Sequence, residues 1–64
     1  MRITLAAARK NAGFTQEEAA KMLNINARTL HMYETMKSIP SVLMAEKMSE
    51  LYKTPSKNII FFEQ

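Results

Sequence analysis

Apolar side chains recur along this chain at three- and four-residue spacings rather than in strict alternation, and strong helix formers (Ala, Leu, Met, Glu, Lys) fill the intervals. Gly and Pro stand only where such segments begin or end. The pattern predicts an all-α fold of five short helices. The first covers about residues 4–12, with Leu5, Ala8 and Ala12 on one face, and ends at Gly13. As the only glycine, Gly13 suits the left-handed position just past a helix. Thr15-Gln16-Glu17-Glu18 has the spacing of a capping box, in which the Thr15 hydroxyl accepts an orphan backbone donor while Glu18 reaches back to the Thr15 amide. Phe14 and Ala19 bracket that box as a small hydrophobic staple. The second helix then runs to Met22 or Leu23. After a break at Asn24-Ile25-Asn26, Asn26 caps a third helix over about residues 27–35.

Two helices of about two turns joined by three or four residues have the local shape of a helix-turn-helix, with Ile25 plugging the turn from its apolar side. Two core helices of any small bundle share that shape. Pro40 suits the start of a fourth helix, because its missing amide is unpaired there anyway; Val42, Ala45, Met48, Ser49 and Tyr52 then line the inner stripe. By the same logic Thr54 caps and Pro55 opens a fifth helix that sets Ile59, Ile60 and one of Phe61 or Phe62 against the core. A short edge strand is the alternative for residues 59–62, and the helix is preferred.

With Leu30 pointing inward, helical rotation places Tyr33, Ala27 and Glu34 on or beside the buried face of the third helix. Arg28, His31, Met32 and Thr35 face outward or sideways. That stripe is compatible with the DNA major groove: Arg28 can pair bidentately with guanine, Met32 can meet a thymine methyl, and His31 or Thr35 can donate to a base or phosphate. The plainer alternative is a solvated face. Met32 is the residue that argues against it, since a bland helix is usually polar there. In the first turn of the second helix, Gln16 and the free backbone donors are placed to meet a phosphate, although Glu17 and Glu18 beside it favour the helix dipole and repel DNA if they turn toward it.

Composition narrows the classes. A chain of 64 residues makes one domain, residues 1–64 with the helix-turn-helix unit at about 15–35, and excludes a multidomain enzyme. With no Cys there is no disulfide framework and no thiolate metal site. Six Met against three Phe, two Tyr and no Trp suggest a core of flexible aliphatic side chains. His31 is the only histidine and has no carboxylate cluster around it, so no metal and no cofactor are expected. His31 and Glu34 lie three apart without a nucleophile, so the chain does not read as an enzyme. The apolar runs at residues 5–8 and 59–62 fall far short of the ~20 residues of a membrane span, and no signal-peptide pattern is visible, so a soluble cytoplasmic protein is expected. The formal charge of +3 permits an anionic partner. Its distribution is uneven: residues 1–14 carry Arg2, Arg9 and Lys10 with no acid, residues 15–39 balance Lys21, Arg28 and Lys37 with Glu17, Glu18 and Glu34, and the remainder also sums to zero. Arg2, Lys10, Lys21, Lys37 and Lys47, with His31 and Thr35, are candidate phosphate or flanking contacts, few enough that binding should be modest and strongly salt-dependent.

From Leu5 to about Phe62 the chain resembles the phage repressor and Cro type of helix-turn-helix domain, the XRE family, most clearly in ARKNAGFTQEEAAKMLNINARTLHMYE, residues 8–34. The resemblance implies a compact, lambda-repressor-like five-helix domain. It also implies that Arg9, near the end of the first helix, pairs with Glu34 at the end of the third, which removes Arg9 from the DNA contacts. By the same resemblance Gln16, Ala27, Arg28 and Met32 are the candidate base contacts, and Lys37 lies where the following loop approaches the DNA backbone. The family typically binds palindromic double-stranded operators as homodimers, which points to Ile59, Ile60, Phe61 and Phe62 as the candidate dimer interface. Three positions depart from the family pattern: Asn24 replaces a turn glycine, Thr35-Met36 replaces the usual pair after the glutamate, and Ala19 replaces a leucine. The expected function is that of a small phage- or prophage-like transcriptional regulator. The rival is a protein-interaction module, such as an antirepressor or an antitoxin-like partner, using Met32, Met36 and residues 59–62.

Overall fold

A computed structural model of the chain describes residues 2–62. A two-residue strand β1 (Ile3–Thr4) leads into α1 (Leu5–Asn11), followed by α2 (Gln16–Met22), α3 (Ala27–Glu34), α4 (Val42–Tyr52), a 3-10 turn (Ser56–Asn58) and β2 (Ile59–Ile60). Among the described residues there are thus four α-helices, not five. The strands pair in parallel, Ile3 with Ile59 and Thr4 with Ile60, and tie the beginning of the domain to its end.

The first three helices start where capping chemistry predicts. Thr4, Thr15 and Asn26 stand in extended conformation, and each accepts a backbone N–H three residues on through its side-chain oxygen. α4 departs from expectation. Pro40 is buried outside the helix, and Ser41 is the cap, its hydroxyl accepting from Met44 N at 3.1 Å. A serine oxygen satisfies an orphan donor, which the proline ring cannot do, so the helix begins after Ser41. The inner stripe shifts accordingly. Met44, Met48, Leu51 and Tyr52 face the core, while Val42 is 78% exposed.

All four helices end alike. One or two residues past each end the chain takes a left-handed φ: Gly13 at 87°, Asn24 at 60°, Met36 at 62° and Lys53 at 54°. The next amide then donates back to the carbonyl five residues earlier: Phe14 to Arg9, Ile25 to Ala20, Lys37 to Met32 and Thr54 to Ser49. These are Schellman closures, which satisfy carbonyls that a helix end leaves unpaired.

The expected fifth helix is replaced by the 3-10 turn and β2. The Thr54 hydroxyl donates to Tyr52 O instead of capping, and no side chain caps the turn that follows Pro55. Without a cap, a nascent helix meets the full nucleation penalty, whereas β-branched Ile59 and Ile60 fit an extended segment with a waiting partner strand. Ile59 is buried and Phe61 packs against the core; Phe62 is 47% exposed.

The core gathers Leu5, Ala8, Ala19, Ala20, Leu23, Leu30, Met48, Tyr52 and Ile59. Among the described methionines only Met48 is fully buried, and Phe14 adds a tilted ring contact on Tyr52, with centroids 6.4 Å apart. Small Ala19 and Ala20 on α2 meet α3 around Leu30, and Ile25 covers the turn between the two helices. This packing fixes α3 on α2 with one face left outward.

Candidate nucleic-acid interface

The start of α2 is held by both bonds of the capping box: Glu18 N donates to Thr15 Oγ1 at 3.1 Å, and Thr15 N donates to Glu18 Oε1 at 2.8 Å. The Thr15 backbone and hydroxyl hold the Glu18 carboxyl below its ordinary range. The start of α3 is held by Asn26, whose Oδ1 accepts from both the Thr29 amide, at 2.7 Å, and the Thr29 hydroxyl, at 2.8 Å.

Beneath the surface, Arg9 crosses from α1 to the end of α3. Its Nε donates to Glu34 Oε2 at 2.7 Å and its Nη2 to Glu34 Oε1 at 3.2 Å, while Nη1 donates to Phe14 O at 2.9 Å. The two side chains are 10% and 6% exposed. A third helix joins at the same carboxylate, since Gln16 Nε2, in the first turn of α2, donates to Glu34 Oε1 at 3.0 Å. Nearby in charge if not in bonding, the buried Tyr52 hydroxyl has no hydrogen-bond partner among the described residues. Burial pushes its pKa up to about 12, Glu34 adding to the rise and Arg9 opposing it.

The outward face of α3 carries Arg28 and His31, both exposed, with Met32 half-buried beside them. No ion pair or hydrogen bond holds the Arg28 guanidinium among the described residues. Ala27 is half-buried and packs against the core, so it contributes bulk at the rim of this face rather than a reaching group. Thr35 is exposed, but its hydroxyl donates to His31 O at 2.9 Å and to Met32 O at 3.3 Å. In that arrangement its one proton is engaged by carbonyls of α3. Lys10, Lys21, Lys37 and Lys47 are exposed, as is Arg2. Of the candidate dimer residues, Ile59 is buried in β2, Ile60 and Phe61 are half-buried, and Phe62 is the open one. The other large exposed apolar side chains are Met22, Ile39, Val42 and Leu43.

The bond from Gln16 to Glu34 was not foreseen. Its signal was available, because the expected Arg9–Glu34 pair and the first turn of α2 both lie where α1 ends, but joining them requires the packing of three helices. Ser41 was overlooked because Pro40 offered a competing start signal.

The described residues contain no cluster of His, Asp or Glu suited to a metal ion, and no helix long and apolar enough to cross a membrane. Comparison with protein families matches residues 5–57 to the family HTH_3, described as Helix-turn-helix. Comparison with curated proteins and with solved structures returns no match.

Proposed function

Because this chain belongs to the XRE-type helix-turn-helix family, a family of DNA-binding regulators, we propose that it is a small phage- or prophage-like transcriptional regulator of the repressor or Cro type. In this reading α3 enters the major groove of a palindromic double-stranded operator and two copies of the chain occupy its half-sites. Regulation follows from occupancy.

The observation that carries the reading is the outward face of α3, where the guanidinium of Arg28 stands exposed and unpaired on a helix locked at its start by Asn26 and at its end by Glu34. An α-helix with its side chains is about 10–12 Å across, which the roughly 12 Å width of the major groove admits. A preorganised arginine there suits bidentate pairing with guanine. Met32 beside it suits a thymine methyl, and the exposed lysines around it suit phosphates.

Selection of operators from random duplex DNA at two salt concentrations, with an Arg28→Ala variant in parallel, tests this reading. The expected result is an enriched sequence whose recovery falls at the higher salt and whose guanine preference weakens in the variant. No enrichment at low salt, or enrichment indifferent to Arg28, overturns it. A stable complex with another protein and no salt-sensitive DNA binding would favour the interaction-module reading instead.

A further inference from the structure

We propose that Glu34 is a positioning residue for Gln16, fixing its amide at the DNA face so that a buried ion pair acts at the interface through a neutral side chain. The inference rests on the DNA-binding reading above. It starts from the shared acceptor. Glu34 Oε1 receives Arg9 Nη2 at 3.2 Å and Gln16 Nε2 at 3.0 Å. A carboxylate only accepts, so the nitrogen of the Gln16 amide must face Glu34 and the carbonyl oxygen must face away. One N–H is thereby engaged, and the second N–H and the oxygen have no partner among the described residues. Gln16 is half-buried, with Glu34 behind it.

The arrangement matters for an anionic ligand. A carboxylate exposed beside DNA repels phosphate, but Glu34 is 6% exposed and charge-balanced by Arg9, so it orients the glutamine without presenting its own charge. A glutamine already held in one orientation loses less freedom on meeting a phosphate than a free one does. Its remaining N–H is the donor available for that contact. Arg9 has a separate role, closing α1 onto Phe14 O and Glu34, and makes no hydrogen bond to Gln16.

The test uses the full chain and a labelled mixed-sequence duplex at low salt, since a phosphate contact does not require a particular operator. Gln16→Ala should weaken binding roughly 3- to 10-fold. It should leave the slope of affinity against salt unchanged, because a neutral amide releases no counterion. The same loss should appear in an Arg9→Met background, where the carboxylate remains to hold the amide. It should vanish in an Arg9→Met/Glu34→Leu background, where neither an acceptor for the amide nor an unpaired charge remains. An equal loss with and without this double substitution overturns the positioning role, as does no loss in the wild-type background. Should the double variant fail to fold, the wild-type Gln16 side-chain amide decides by NMR. One proton protected from exchange and unmoved by DNA, with the other shifting on DNA addition, supports the proposal; two freely exchanging protons overturn it. Absence of any binding by the wild-type chain overturns the DNA-binding reading itself, a result distinct from binding without coupling.

Discussion

Replacing Arg9 with methionine isolates the energetics of the buried pair. The substitution keeps the aliphatic volume between α1 and α3 but removes three donors: two to the Glu34 carboxylate and one to Phe14 O. Glu34, 6% exposed, is left charged with only the Gln16 amide donating to it. Breaking one side of a buried pair typically costs about 3–5 kcal/mol. A 64-residue domain has a total stability of roughly 3–10 kcal/mol, so the variant should lose a large share of its stability. Urea unfolding followed by circular dichroism at 222 nm measures the change as a lowered midpoint with an unchanged slope. Converting both partners, Arg9→Met with Glu34→Leu, should recover much of the loss, because no uncompensated charge remains and the half-buried Gln16 can turn to water. A loss below about 1 kcal/mol for Arg9→Met, or a double variant as unstable as the sum of its singles, would refute the reasoning by showing that Glu34 finds water or relaxes into a new contact.

Backbone conformation and burial set the signs of the remaining outcomes. Gly13→Ala should cost about 1–2 kcal/mol through its left-handed φ alone, since an added Cβ meets nothing within 4 Å, whereas Lys53→Gly should stabilise by roughly 0.5 kcal/mol; melting temperatures report both signs. Thr15→Ala should cost about 1 kcal/mol in urea unfolding by removing the cap of α2. Because Glu18 is held below its ordinary range, its share of stability is present above the ordinary carboxylate pKa and fades as pH falls through the lowered one, so a Glu18→Gln variant should show a flatter acid limb. Tyr52→Phe removes a buried hydroxyl without a partner and should be neutral or stabilising by up to about 1 kcal/mol. With the folded phenol pKa raised to about 12 from 10.0, wild-type stability should hold below pH 10 and fall by roughly 2 kcal/mol as pH rises to 12, a loss absent from Tyr52→Phe in denaturant titrations across that range.

What was legible in the chain was what neighbours in sequence decide. Thr15 and Glu18, or Asn26 and Thr29, are three residues apart, so one helical turn brings them together whatever else the chain does. Gly13 announced its left-handed turn because no other residue type takes that conformation without penalty. Met36 and Lys53 take the same conformation unannounced, since there the Schellman closure and core packing override side-chain preference. The end of the chain was misread for a related reason. Ile59 and Ile60 admit a helix or a strand by local pattern, which favours the helix, and the partner that decides for the strand, Ile3–Thr4, lies more than fifty residues away. Once paired, Ile59 is enclosed and Phe62 is the open member of that apolar end, while Ile39, at 65% exposure, Val42 and Leu43 are exposed near the start of α4.

Charge shows how a correct count can mislead about an interface. Residues 15–39 are neutral by composition, with Lys21, Arg28 and Lys37 set against Glu17, Glu18 and Glu34. Yet Glu34 is buried and compensated by Arg9, which belongs to the basic first segment. Remove that pair from both sides and three cations face two acids in the helix-turn-helix unit, a balance of +1, while the first segment falls from +3 to +2. Glu18 is further engaged at the cap of α2. The positive excess that an anionic partner meets is therefore shared between the two segments rather than confined to the first. The acid that made the reading unit look neutral is the one that orders Gln16 and anchors the end of α3, so the same residue that lowers the formal charge builds the geometry on which recognition rests.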